Sequence, residues 1–218
     1  LNGPQSTEAE LNRKDEIALT IPWKVILPAA FVIFTSRFIE RGLVAASTAL
    51  WMANLCGDGR RIFGLLVPIA SLTGMFNALK VFPGIGFALF TGKFSDRLGR
   101  RWRVVLWTLL AGALGLLMMS SRLVWLAVIG GLLTPMLTAG IETLVPAIIG
   151  DNTSTVNNGR TLGIVYMFAD LGSTLGPMIG LGLLDASTLT IGQLYKLCVL
   201  LILAAAAASW STSKRTGN

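Results

Sequence analysis

From Lys24 onward, long apolar stretches alternate with short polar breaks along the chain. Six such stretches run approximately 24–55, 63–91, 104–120, 124–149, 160–184 and 191–210, and the breaks fall at 57–61, 92–103, 121–122, 151–159 and 185–190. A helix rises about 1.5 Å per residue, so about 17–25 apolar residues cross the roughly 30 Å hydrocarbon core of a bilayer. Each stretch meets that length. The pattern predicts an all-α, polytopic membrane protein: a polar leader at 1–20, a domain of six transmembrane helices at 21–210, and a basic tail at 211–218.

Composition agrees with the pattern. Of 218 residues, 53% are hydrophobic and 13% charged, about half the charged fraction of a soluble domain. The sequence has no histidine, and Cys56 and Cys198 lie in unrelated segments. Imidazole metal sites and Ser-His-Asp or Cys-His catalytic pairs are therefore excluded, and no cofactor, metal or catalytic residue is expected. A membrane-embedded enzyme would also want clustered carboxylates for acid–base work, and none stand out.

The net charge of +7 is spread as punctuation between apolar stretches, without the interleaved aromatics of a nucleic-acid surface. Its placement gives an orientation. Alternate breaks carry eleven Lys and Arg residues on one side (Arg13, Lys14, Lys24, Lys93, Arg97, Arg100, Arg101, Arg103, Arg160, Lys214, Arg215). The other side carries four (Arg60, Arg61, Arg122, Lys196). Positive residues are retained in the cytoplasm, so both termini and the 92–103 and 151–159 breaks are expected there. Trp23, Trp51, Trp102, Trp125 and Trp210 fall near helix ends, as an interfacial aromatic belt would.

Two motifs carry chemistry. In the break at 92–103, Gly92, Lys93, Phe94, Ser95, Asp96, Arg97, Leu98, Gly99, Arg100 and Arg101 follow in order. Glycines at Gly92 and Gly99 let two helices reverse direction, and Asp96 stands among Arg97, Arg100, Arg101 and Arg103. Such a cluster can hold a neighbouring helix end in one conformation and release it in another. In the fifth stretch, Gly163, Gly172, Gly176, Pro177 and Gly180 form a G-x8-G-x3-GP-x2-G pattern. The i, i+4 spacing of Gly172, Gly176 and Gly180 makes a smooth stripe that admits another helix closely, while Pro177 removes a backbone donor.

The first motif resembles the GxxxDRxGRR loop signature of the major facilitator superfamily. The second resembles that superfamily's antiporter motif, with Leu181 in place of the last glycine of its usual GPxxGG ending. Together the resemblance covers essentially 21–210. It implies one six-helix half of a twelve-helix carrier, and the polar leader and basic tail match the C-terminal half. The missing half, or a second copy of this chain, would then be a partner alongside the lipid bilayer. The expected activity is alternating-access transport of a small organic solute, coupled to protons, with efflux or antiport favoured. A nutrient uniporter or importer is the alternative within transport. A shortened, non-transporting membrane protein that binds partners through its glycine-rich helix is the alternative outside it.

Charges inside the membrane are costly and mark function by default. Arg37, Glu40, Arg41, Lys80, Glu142 and Asp170 lie within apolar stretches and are the candidate substrate or proton-coupling residues. Arg37, Lys80 and Asp170 converge near the midplane at about 1.5 Å per residue. Arg37, Glu40 and Arg41 share an α-helical face at i, i+3 and i+4, so Glu40 is expected to neutralise one arginine and leave the site net positive. Glu142, about 27 Å along its helix from Val124, is expected near the cytoplasmic end as a gate partner. A buried, purely structural network is the alternative for all of them.

Overall fold

A computed structural model describes residues 23–57, 59–62, 65–186 and 189–216; the leader at 1–20 lies outside the described residues. The described chain is a helical bundle. Helix α1 (Trp23–Arg37) passes without interruption into a π-helical segment (Phe38–Val44) and then α2 (Ala45–Cys56). Strands β1 (Gly59–Ile62) and β2 (Leu65–Pro68) pair antiparallel, with Gly59 opposite Pro68. Then come α3 (Ile69–Leu98), α4 (Arg101–Met119), α5 (Val124–Leu133), α6 (Pro135–Asn152), α7 (Thr155–Asp185) and α8 (Ile191–Thr216).

Among the described residues these elements make six membrane-spanning units. Five are long, apolar helices: α3, α4, the α5–α6 rod over Val124–Asn152, α7 and α8. The sixth is α1 through α2, whose backbone stays helical at Arg37 and Val44 on either side of the π segment. Thr134 likewise keeps helical angles between α5 and α6, where Pro135 lacks the amide hydrogen that would continue the ladder.

Three sequence expectations change. The second stretch becomes helical only at Ile69, because 65–68 pairs as β2 and Pro68, extended at ψ 153°, stands as the N-cap of α3. The 92–103 segment is hardly a loop. Helix α3 runs on to Leu98 and α4 starts at Arg101, so Gly92 is helical and Gly99 alone makes the reversal, at φ +61°. The last helix also continues through the polar stretch to Thr216.

Lipid tails are as apolar as leucine, so the helices associate through close packing rather than hydrophobic exclusion. The closest partners are α4 with α8, α1 and the π segment with α7, and α3 with α6. The interior holds Ile26, Ile33, Ile39, Leu109, Leu116, Ile141, Leu144 and Ile148, all fully buried. Outer surfaces carry Phe82, Leu89, Trp107 and Leu200. Trp23, Trp125 and Trp210 are exposed as a belt requires, but Trp51 and Trp102 are buried. Trp51 instead donates from Nε1 to the Met119 carbonyl at 3.1 Å and packs on Phe76, tying α2 to the end of α4 and the start of α3.

Candidate functional site

The six intramembrane charges come together at mid-depth, though not in the arrangement their spacing suggested. Arg37 donates from Nε to Glu142 Oε1 at 2.9 Å and from Nη1 to Asp170 Oδ1 at 2.6 Å. Arg41 donates from Nη2 to Glu142 Oε2 at 2.7 Å. Lys80 Nζ lies 2.8 Å from Glu40 Oε1. The Arg37 guanidinium also sits 5.4 Å from the centre of the Tyr166 ring, within cation–π range. One network thus ties α1 and the π segment to α3, α6 and α7.

Two expectations are corrected here. Glu40 neutralises Lys80 of α3 rather than a neighbouring arginine, because Glu142 takes both guanidiniums. The six charges balance, and the site is not net positive. Glu142 is not near a helix end: α6 extends to Asn152, which leaves the carboxylate about 15 Å from that end at about 1.5 Å per residue. The helix runs past the end of the apolar stretch at 149, so Glu142 lies further from its end than hydropathy alone indicates.

A groove of about 380 Å³ opens beside the network, lined by Glu40, Arg41, Asn77, Lys80, Thr138 and Glu142 among others. Asn77 and Thr138 were not foreseen. A single amide or hydroxyl in an apolar stretch costs little, and no spacing rule singles it out. Burial differs sharply across the site. The side chains of Glu40 and Lys80 are 9% and 8% exposed, whereas Asp170 is 70% exposed.

The π segment explains why Glu40 faces α3 while its neighbours Arg37 and Arg41 face α6. π-Helical turns close i→i+5 bonds and occur mostly at functional sites, and the wider turn separates residues that an α-helix would align. Its back rests on the glycine stripe of α7. A Cβ on Gly172 would meet the Phe34 carbonyl at 2.6 Å, one on Gly180 would meet Leu43 at 2.8 Å, and one on Gly176 would collide with the Phe38 carbonyl and the Cα of Gly42. Pro177 packs beside the same contact. The stripe is therefore filled from within the chain and is not free to receive a partner. Gly163, grouped with it by sequence, has open space around it.

At the Gly99 end, Arg101 bridges two carboxylates. Its Nε donates to Asp151 Oδ2 at 2.5 Å and its Nη1 lies 3.4 Å from Asp96 Oδ1. Asp151, at the end of α6, was not singled out by sequence, since it sits in a polar break some fifty residues from the motif it completes. Among the described residues, Arg97 and Arg100 of the same motif form no ion pair.

The Major Facilitator Superfamily sequence profile matches residues 22–217. The chain is 29% identical over 151 residues to the MFS-type efflux transporter pyiT of Pyricularia grisea, a match covering 67% of this chain and 23% of that protein. It is 33% identical over 113 residues to the tetracycline resistance protein, class B, of Escherichia coli, covering 51% of this chain and 28% of that protein. The matched segments thus span about a quarter of each relative. With six membrane crossings, a charged network at mid-depth and this profile over nearly its whole length, the chain belongs to the Major Facilitator Superfamily and is an integral, multi-pass membrane protein.

Proposed function

We propose that this chain forms one six-helix half of an alternating-access carrier that exports small organic solutes in exchange for protons. The observation that carries the reading is the balanced six-charge network at mid-membrane depth, opening onto the 380 Å³ groove. Intramembrane ionisable residues mark substrate and ion pathways, and carriers of this architecture bind at the midplane between repeats. Both relatives bear names of export or drug resistance, which supports the outward direction.

Exposure of the network supports a covering second half. Asp170 and Arg41 are 70% and 52% exposed, and a charge facing lipid at this depth costs about 2.5–3.5 kcal/mol on insertion scales. This face is better suited to a second six-helix unit across a watery cavity. The Asp96–Arg101–Asp151 bridge would act as the latch that favours one conformation, consistent with its place where α3 and α4 meet the end of α6.

The test is to express the full reading frame containing this chain in a pump-deficient host and follow accumulation of fluorescent organic dyes and tetracycline. Lower accumulation that collapses when the proton gradient is dissipated supports the reading. Accumulation equal to the empty vector across the panel, with the protein present in the membrane, overturns it.

A further inference from the structure

We infer that the end of α4, the 120–123 turn and the start of α8 form a binding site for the headgroup of an anionic phospholipid, held by Arg122 and Lys196. The site lies at the end of the bundle opposite Gly99 and does not depend on what the carrier moves. A cavity of about 510 Å³ opens there, lined by Ser120, Arg122, Thr190, Gly192, Gln193 and Lys196. Its wall holds two cations and no carboxylate. A second lobe of about 270 Å³ shares Ser120, Arg122, Thr190 and Gly192 with the first and adds Trp51, Asn54 and Ser121.

The position of these cations sets them apart. Lys and Arg are depleted on this side of the bundle, as the positive-inside bias requires of one side; its breaks hold four of the eighteen basic residues, and two of the four meet in one cavity. Among the described residues neither forms an ion pair, whereas Arg37, Arg41, Lys80 and Arg101 all do. Asp185, the carboxylate nearest to α8 in sequence, lines a different cavity with Leu50 and Leu181. Like charges that share a cavity repel, and an anion between them removes that cost. Gln193 adds donors. Its Oε1 accepts from the Thr190 amide at 2.8 Å and from the Thr190 hydroxyl at 3.0 Å, which leaves the Nε2 hydrogens to donate. Phosphate oxygens accept such bonds, and the arginine fork can bind two of them at once.

The anion is a lipid because of what adjoins the cavity. Helices α4 and α8 pack closely, and both present outward leucines directly beyond it. Leu117 and Leu114 lie about one and two turns from Ser120, while Leu197 and Leu200 lie beside Lys196 and about one turn on; all four are exposed. In a bilayer these surfaces meet acyl chains. Leu123 and Trp125, exposed next to Arg122, mark the interfacial level where tryptophan is enriched. Arginine and lysine near helix ends extend to headgroups at that level. A phosphodiester held by Arg122 and Lys196 thus sits at headgroup depth with its chains on the leucines. A free phosphate would use the cations alone. The lobe at Asn54 and Ser121 offers polar groups to a hydroxylated headgroup, so phosphatidylglycerol is the probe.

The test uses the purified full-length protein in detergent micelles, with phosphatidylglycerol, phosphatidylcholine of the same acyl chains, and inorganic phosphate as probes. Native mass spectrometry counts bound lipids, and thermal melting reads stabilisation. Wild type is expected to hold one phosphatidylglycerol more per chain than Arg122→Gln with Lys196→Gln. Each single substitution should weaken that lipid about tenfold, as the loss of one hydrogen bond to a charged group implies, and Arg122→Lys should weaken it less. Arg97→Gln with Arg100→Gln, an equal loss of charge at the other end, should leave the lipid in place. Arg122 and Lys196 are exposed, so the double variant is expected to melt like wild type before lipid is added. Equal phosphatidylglycerol binding in wild type and the double variant, or no preference over phosphatidylcholine, overturns the site. Inorganic phosphate that displaces the lipid, or stabilises the protein as well as the lipid does, overturns the lipid assignment.

Discussion

At mid-depth three carboxylates face three cations, yet the pairings differ in what a single substitution strands. Glu142 is the hub, so among the described residues Glu142→Gln leaves Arg37 with only Asp170 as an ion-pair partner and Arg41 with none. A hydrogen bond to a charged group contributes about 1.5–3 kcal/mol. We expect a loss of that order in thermal or denaturant unfolding of the purified protein; an unfolding profile identical to wild type would show that Glu142 is not the hub. Glu40 and Lys80 offer a cleaner comparison because, among the described residues, each is the other's sole ion-pair partner. Removing both members of a buried pair is often neutral, whereas removing one strands the other. The double variant Glu40→Leu with Lys80→Leu should therefore unfold closer to wild type than either single variant, and should reach the membrane but fail to exchange protons. Arg37→Leu with Glu40→Leu is expected to behave worse than the matched pair, since those two residues are not partners and their loss strands Lys80 and weakens Glu142. The sequence shows which residues are ionisable and how deep they lie. Their pairing depends on which helix faces which, and on a π turn that Phe38–Val44 does not announce in its composition.

On the scale of elements, the contact between the π segment and α7 is what sets the network's geometry. The stripe at Gly172, Gly176 and Gly180 was legible from its i, i+4 spacing, as was the close approach it permits. Its occupant was not, because sequence spacing describes one surface and says nothing of what covers it. The contact is tight enough to give a graded prediction. Adding atoms to a packed contact costs typically about 1–3 kcal/mol, and a methyl on Gly176 would meet backbone atoms that cannot swing aside. We expect Gly176→Ala to lower unfolding stability by that order, while Gly163→Ala and Gly182→Ala, which meet nothing within 4 Å, leave it unchanged. Equal effects at all three positions would mean that the stripe does not hold α1 and α7 together. The β1–β2 hairpin shows the converse limit. Hydropathy alone joins 65–68 to the following helix, and only the pairing with 59–62 and the extended Pro68 cap separate them.

For the molecule as a whole, six crossings alternate direction and put Gly99, the α6–α7 break and the end of α8 on one side, with the hairpin and the 120–123 turn on the other. We propose, from the distribution of Lys and Arg, that the first side faces the cytoplasm. Cys56, beside the hairpin, is a native reporter. With Cys198 replaced by serine, an impermeant thiol reagent added to intact cells should label Cys56 but not a cysteine placed at Gly99, and the reverse labelling would invert the topology. The proposed latch belongs to this scale too, since Arg101 joins α4 to carboxylates on α3 and α6 and so couples three helices at the Gly99 end. Its two partners are not equivalent: Asp151 is held at 2.5 Å and Asp96 at 3.4 Å. Both are exposed, and exposed ion pairs contribute about 0.2–1 kcal/mol, so neither substitution should unfold the protein. A carrier that must alternate is sensitive to smaller biases than a folding equilibrium, because about 1.4 kcal/mol changes the ratio of two conformations tenfold. We therefore expect Asp96→Asn and Asp151→Asn to insert normally and to change solute export by several-fold, with Asp151→Asn the larger effect, as its shorter contact with Arg101 requires. Arg101→Ala, which removes both contacts, should match or exceed Asp151→Asn and should gain nothing further when combined with it. Export rates in vesicles decide the matter: full rates in Asp151→Asn and Arg101→Ala would mean that the bridge is a structural tie at the helix ends with no part in the conformational cycle.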